Sequence, residues 1–311
     1  MYAGTVKGIH AVSQSAPRLH IEARLSAEAW ALLLALSLPW GGAFLLFRVL
    51  GQDLPSFTLV LARCGLAVPT LYLLLRLRGQ RLDIPWVKFL VMGLLNNVIP
   101  FTLFAWAETR VTSGLAAILN AATPVMTVLV LAAFGVERLT TLRILGVVVA
   151  FAGVGVLIGP DAWAGSPDLL ADAACLLATL SYAFTALWGR GLRHIDPIKA
   201  ATGQLACSTL ILLPLAAVID QPWTLPMPSV ATWTALLTFA LVCTALAYII
   251  FFRILAIAGS GNVMLVTFLI PVSALVMGAL FLHEPITPSA LAGMALIASG
   301  LAAIDGRLFR R

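Results

Sequence analysis

The stretch Ser113–Gly159, SGLAAILNAATPVMTVLVLAAFGVERLTTLRILGVVVAFAGVGVLIG, lies without a gap on Ser260–Gly306, SGNVMLVTFLIPVSALVMGALFLHEPITPSALAGMALIASGLAAIDG, at a constant offset of 271 − 124 = 147 residues. Apolar sequence resembles itself trivially, so the match is judged on its Pro, Gly and charged positions. Ser113/Ser260, Gly114/Gly261, Pro124/Pro271, Glu137/Glu284, Thr140/Thr287, Gly146/Gly293, Gly153/Gly300 and Gly159/Gly306 all agree. A weaker match at an offset of 142 pairs Leu38 with Leu180, Trp40 with Tyr182, Arg48 with Arg190 and Pro55 with Pro197.

The composition says where such a repeat resides. Of 311 residues, 61% are apolar and 10% charged, with mean hydropathy +1.03; soluble domains are about 45–50% apolar and about 25% charged. Nucleic-acid binding, cytosolic catalysis and a secreted disulfide scaffold are excluded. Cys64, Cys175, Cys207 and Cys243 all fall in apolar stretches without C-x-x-C spacing and read as packing residues.

Apolar runs long enough to cross about 30 Å of hydrocarbon occur at 30–47, 55–75, 87–107, 113–134, 142–159, 169–188, 198–219, 230–255, 262–282 and 288–305. These are helices 1 to 10. The first run exceeds the 7–15 residues of a signal core, so residues 1–27 read as a tail rather than a cleaved leader. Placing the N-terminus inside puts 16 of the 19 Lys and Arg on the cytoplasmic side, Arg48 and Arg110 outside and Arg63 within helix 2. The positive-inside rule thus sets both termini in the cytoplasm, and the net charge of +6 records topology rather than an acidic partner.

The repeats place helices 4–5 over 9–10 and 1–2 over 6–7, so each half holds five helices. Five is odd, hence equivalent helices run in opposite directions, the inverted-repeat architecture of carriers. The expected fold is all-α integral membrane, with a tail 1–27, repeats 28–160 and 161–306, and a basic C-terminus 307–311. A duplication that only stabilises a bundle is the bland alternative. A membrane transferase would need an acidic cluster or a His-centred site, whereas His10, His20, His194 and His283 are scattered over tail and loops. A channel or lipid scaffold remains a third class.

The two five-helix units, Gly135-Val136-Glu137-Arg138-Leu139-Thr140 after helix 4, Leu282-His283-Glu284-Pro285-Ile286-Thr287 after helix 9, and Pro124 and Pro271 upstream resemble the EamA family of the drug/metabolite transporter superfamily from about Trp30 to Asp305. Within it the chain is most similar to bacterial inner-membrane amino-acid exporters, including the YddG type that exports aromatic amino acids. The resemblance implies that helices 1, 3, 4, 6, 8 and 9 surround a central cavity and that 5 and 10 stand at the periphery. It also carries an arginine in helix 2, the place of Arg63.

Polar and aromatic side chains inside spans are the candidate substrate contacts, since an amide in a bilayer needs a helix partner or a wet cavity. These are Trp40, Phe44, Asn96, Asn97, Phe101, Asn120 and Thr123 in the first half, and Tyr182, Thr244, Tyr248 and Thr267 in the second, with Gln204 beside them. Trp106, Trp188 and Asn262 lie near helix ends, where interfacial anchoring is the commoner use of Trp. Arg63 either holds a substrate carboxylate or braces neighbouring helices. Pro100, Pro124 and Pro271 are expected to interrupt helices 3, 4 and 9 and permit gating bends. Glu137 and Glu284 are expected to anchor the turns after helices 4 and 9 by capping the following helix or holding a cation.

No acid lies near the middle of a helix, which favours facilitated diffusion or exchange over obligate proton coupling. With only Arg63 available as a cavity cation, a zwitterion or aromatic solute fits better than a phosphate ester. The expected partners are a small-molecule substrate and the lipid bilayer, with no nucleic acid, metal or cofactor, for a monomer or weak dimer. Gly155 and Gly159 form a GxxxG read as packing.

Overall fold

In the computed structural model, residues 26–137, 139–158, 168–192, 194–263 and 265–305 are described, with the backbone alone at 260–262 and 305. The tail 1–25, the C-terminal 306–311, Arg138, Gly159 and the side chain of Asn262 lie outside the described residues.

Among the described residues, eight rods are long and apolar enough to span a bilayer: Ala27–Leu50, Ser56–Leu77, Trp86–Ala107, Ser113–Ala133, Thr141–Ile158, Asp168–Leu192, Pro197–Asp220 and Val230–Gly259. They are helices 1 to 8. Helices 9 (Val266–Leu282) and 10 (Pro288–Ile304) are shorter apolar helices. Ser26, Thr112, Asp196 and Ser229 cap helices 1, 4, 7 and 8, each accepting from a first-turn backbone N–H, which satisfies donors that lipid cannot. Between helices 8 and 9 the chain breaks at Gly259, whose φ of 78° and ψ of 168° suit only glycine.

The prolines act in different ways. Helix 4 is broken at Ala121–Ala122, immediately before Thr123-Pro124. Helix 3 widens into a π turn at Leu94–Val98 just ahead of Pro100. Pro271, by contrast, sits inside an unbroken helix 9: it removes one backbone donor near the start of the helix without stopping it. The π turn is not proline's doing alone, because helix 8 has its own at Leu241–Leu246. The two begin at the same repeat offset, 241 − 94 = 147, and proline-free Ala247 stands where Pro100 would map.

Packing follows a two-fold rule. Helix 1 packs on 9 as helix 6 packs on 4, helix 3 meets 6 as 8 meets 1, and 3 meets 7 as 8 meets 2. Pairs 2–7, 4–9 and 5–10 map onto themselves. Helices 5 and 10 form the tightest seam: a methyl added at Gly146 would come within 2.6 Å of the Gly300 carbonyl, and one at Gly153 within 2.9 Å of the Gly293 carbonyl. As numbering rises along helix 5 it falls along helix 10, so the equivalent helices are antiparallel and the repeat is inverted. With no Cβ in the way, the two backbones meet directly, the close approach that substitutes for a hydrophobic driving force in lipid.

Candidate functional site

Two layers stack along the middle of the bundle. Toward the outer end is an aromatic plug built on Arg63. Its guanidinium lies 3.8 Å from the Phe101 ring centre, 4.3 Å from Phe239 and 5.1 Å from Phe47, and its Nε donates to Thr244 Oγ1 at 3.1 Å. Thr244 in turn donates to the Phe239 carbonyl across the π turn of helix 8. Phe47 and Phe239 meet edge to face at 4.7 Å, and Phe44 meets Phe104 likewise at 5.4 Å. A charged group in a span is tolerated where ring faces and hydrogen bonds replace water, and here helices 1, 3 and 8 supply them to Arg63 of helix 2. Phe47 and Phe239 were not singled out by the sequence, because only the packing of helices 1 and 8 brings their rings to Arg63.

Toward the cytoplasmic end lies a polar layer. Asn96 Nδ2 donates to Gln204 Oε1 at 3.0 Å and Gln204 Nε2 donates to the Tyr248 hydroxyl at 2.8 Å, linking helices 3, 7 and 8. Trp40, Asn96, Tyr182 and Tyr248 are half-buried at mid-span depth, with Trp40 at 5.6 Å from Phe251 and Tyr248 stacked on Phe252 at 5.9 Å. Tyr182 and Tyr248 both lie within electrostatic reach of Arg63. The residues joined directly are therefore Asn96, Gln204 and Tyr248, with Trp40 and Tyr182 half-buried at the same depth and Arg63, Phe101 and Thr244 above them.

Other candidates sit elsewhere. Asn97 is fully buried and donates to Ser208 Oγ at 2.9 Å, a bond between helices 3 and 7. Its neighbour Asn96, turned away from it around the π turn, is half-buried and reaches Gln204 instead. Thr123 donates to the Asn120 carbonyl at 2.7 Å within the break of helix 4. Thr267 lines a lateral, apolar cavity of about 150 Å³ with Ile118, Ala121, Phe268 and Pro271. Trp106 lies beneath the Arg110 guanidinium at 4.3 Å, and Trp188 donates to the Lys88 carbonyl at 3.0 Å.

The two helix-end glutamates do different things. Glu284 does not cap helix 10: its carboxylate accepts from Ser113 N at 3.0 Å, Ser113 Oγ at 2.7 Å and Gly114 N at 3.4 Å, closing over the N-terminus of helix 4. A negative group at that end of a helix is favourable. Glu137, its repeat mate, instead pairs with Arg143 on helix 5 at 2.7 Å, about one third exposed. At the outer end a cleft of about 540 Å³ is lined by Arg48, Gln52, Thr112, His283 and Glu284.

This arrangement can be compared with known proteins. The model of the EamA-like transporter family matches residues 25–159 and again 169–304. The chain belongs to that family. It is 30% identical over 283 residues to protein PecM of Dickeya dadantii, covering 88% of this chain and 91% of that one. It is 28% identical over 298 residues to a probable terminal-alkyne amino-acid exporter of Streptantibioticus cattleyicolor, covering 93% and 96%. An uncharacterized transporter of Bacillus subtilis, YvbV, is 27% identical over 236 residues, 74% of this chain and 75% of that one. A solved crystal structure shares the fold with a TM-score of 0.65 at 17% identity, over 91% of this chain and 98% of that chain. As an EamA protein the chain is a multi-pass transporter of small metabolites in a bacterial membrane, with two copies of the family unit forming the fold.

Proposed function

We propose that the chain exports amino acids, aromatic ones included, by facilitated exchange, with alternating access to the layer formed by Trp40, Asn96, Tyr182, Gln204 and Tyr248. The observation that carries this reading is the Asn96–Gln204–Tyr248 chain of amide and phenol groups at mid-span. It offers donors and acceptors to a zwitterion, and Trp40 and Tyr182 offer ring faces to an apolar side chain. Both repeats contribute, as a site at the repeat interface requires. The amino-acid exporter named among the relatives supports the substrate class.

Alternation has a physical basis in the unequal glutamates. The bond from Ser113 to Glu284 maps by the offset of 147 onto Ser260 and Glu137. We read the first as a latch holding the outer end shut, and Glu137 as the acid of its counterpart, which works when the cytoplasmic end closes and Glu137 leaves Arg143. The deciding experiment is counterflow in proteoliposomes with a panel of labelled amino acids, sugars and nucleosides, ΔpH and voltage collapsed. Saturable exchange of aromatic amino acids is the expected outcome; exchange of sugars or nucleosides alone, or exchange that stops when the gradients are removed, refutes the proposal.

A further inference from the structure

Glu108 ends helix 3, just beyond the span. It is fully buried, and among the described residues neither carboxyl oxygen has a hydrogen-bond partner. The groups that could satisfy it are committed elsewhere. Arg48 of helix 1 donates Nη1 to the main-chain carbonyl of Glu108 at 2.6 Å. Both oxygens of Glu284, the neighbouring acid after helix 9, accept from Ser113 and Gly114. From helix 2, Arg63 is spent on Thr244 and the aromatic plug. From helix 6, the buried thiol of Cys175 neighbours both Glu108 and Asp172.

A bare carboxylate shut away from water and donors is among the costliest groups a protein can hold, and it takes a proton instead. Burial, with the charge of Glu284 second, pushes the Glu108 carboxyl well above the ordinary range; Arg48 and Arg63 pull it back by less. A hard cation fits poorly, because it needs a shell of several oxygens and the oxygens of Glu284 already accept from helix 4.

We propose that Glu108 is a proton-binding site that must be filled for the outer end to close. Two of its neighbours, Arg48 and Glu284, form the wall of the outer cleft. When Glu284 parts from Ser113, outside water reaches Glu108 and the proton leaves; reclosing takes one back from the same side. The position at the repeat offset in the second half is Leu255, so the cytoplasmic end has no matching acid. The proton therefore gates transport without crossing the membrane, and acid outside favours the outer-closed state.

This inference rests on the alternating-access reading, and the test separates the two. The native cysteines are all buried, so a cysteine at Trp40→Cys can be labelled with an impermeant maleimide from either side of oriented vesicles, corrected for the thiol's own ionisation. Labelling from both sides is expected, and the outside rate should rise with external pH by up to about tenfold per unit, the limit for one proton. Added Glu108→Gln should leave the outside rate slow and flat with pH. Labelling from both sides with no pH response in the parent, or a response that survives Glu108→Gln, overturns the proton site alone; labelling from one side only overturns both readings. A pH response that disappears when choline replaces sodium also overturns it. Should Glu108→Gln fail to fold, infrared spectra of the parent carrying carboxyl-labelled glutamate decide. The C=O band of an un-ionised glutamic acid at neutral pH is expected, and its absence overturns the proposal.

Discussion

Glu284→Gln tests the outer latch most directly. The carboxylate receives two good hydrogen bonds, from Ser113 N at 3.0 Å and Ser113 Oγ at 2.7 Å, and a long third from Gly114 N at 3.4 Å. The amide keeps one acceptor but loses the charge. Hydrogen bonds to charged groups contribute about 1.5–3 kcal/mol and neutral ones about 0.5–1.5, so two weakened bonds cost roughly 2 kcal/mol. The lost attraction to the helix 4 N-terminus adds about 0.5 kcal/mol. At about 1.4 kcal/mol per factor of ten, some 2–3 kcal/mol moves the equilibrium between outer-closed and outer-open states about 30- to 150-fold. The assay is the outside labelling rate of Trp40→Cys, which should rise steeply, with Glu137→Gln lowering it by removing the opposite latch. A folded Glu284→Gln protein whose outside labelling changes by less than about twofold would refute the latch, since so small an effect is that of an exposed ion pair.

Arg63→Ala removes a guanidinium held by three rings and one hydroxyl. Desolvated cation–π contact and the charged hydrogen bond together make roughly 3–5 kcal/mol, so a large loss of melting temperature is expected; an unchanged melting temperature with raised KM would mean that Arg63 serves substrate only. Gly146→Ala drives a methyl to 2.6 Å from the Gly300 carbonyl and 2.8 Å from Ile304, an overpacking cost of about 1–3 kcal/mol. Gly155→Ala meets nothing within 4 Å and should stay within about 0.5 kcal/mol; equal losses in thermal unfolding would contradict the antiparallel seam. For Glu108, the folded chain keeps a proton that the unfolded chain gives up near the ordinary Glu value, so stability falls as pH rises between that value and the raised one, by at most about 1.4 kcal/mol per unit. Glu108→Gln should flatten this profile in melts against pH, and a parallel profile would count against a buried acid.

The fold was legible where chemistry punctuates an apolar background. Pro, Gly and Glu positions at one offset revealed the second repeat, and Lys and Arg placement gave the sidedness. Glycines seven apart marked the 5–10 seam. The matching π turns at Leu94–Val98 and Leu241–Leu246 left no mark, since LLNNV and LVCTAL share little beyond hydropathy. In the site, Asn96, Gln204 and Tyr248 were visible as polar groups in lipid-length runs, yet Asn97 looked the same and turned out to be fully buried against Ser208. Only helix rotation separates them, and a nearly all-apolar helix has no amphipathic pattern to fix that rotation. Glu108 was not singled out, for a related reason. Hydropathy ends helix 3 at Ala107, but the turn that follows is roofed by the segment of Glu284, 176 residues later, and no local signal reports it.

The repeats also differ where their difference sets the resting state. Glu137 has a competitor in Arg143 at 2.7 Å; at the same offset in the second half stands Ala290, which has no charge to draw Glu284 away from Ser113. Closing the cytoplasmic end must first break the Glu137–Arg143 pair, whereas the outer latch closes without such a rival. A protein with otherwise equal halves is thereby biased toward the outer-closed form. The bias is small, because a pair about one third exposed contributes at most about 1 kcal/mol. Arg143→Ala should therefore raise the outside labelling rate of Trp40→Cys by up to about fivefold, and more at low salt than at high, since screening weakens the same pair in the parent. Outside labelling that fell, or that rose equally at all ionic strengths, would show that Arg143 does not hold Glu137 back.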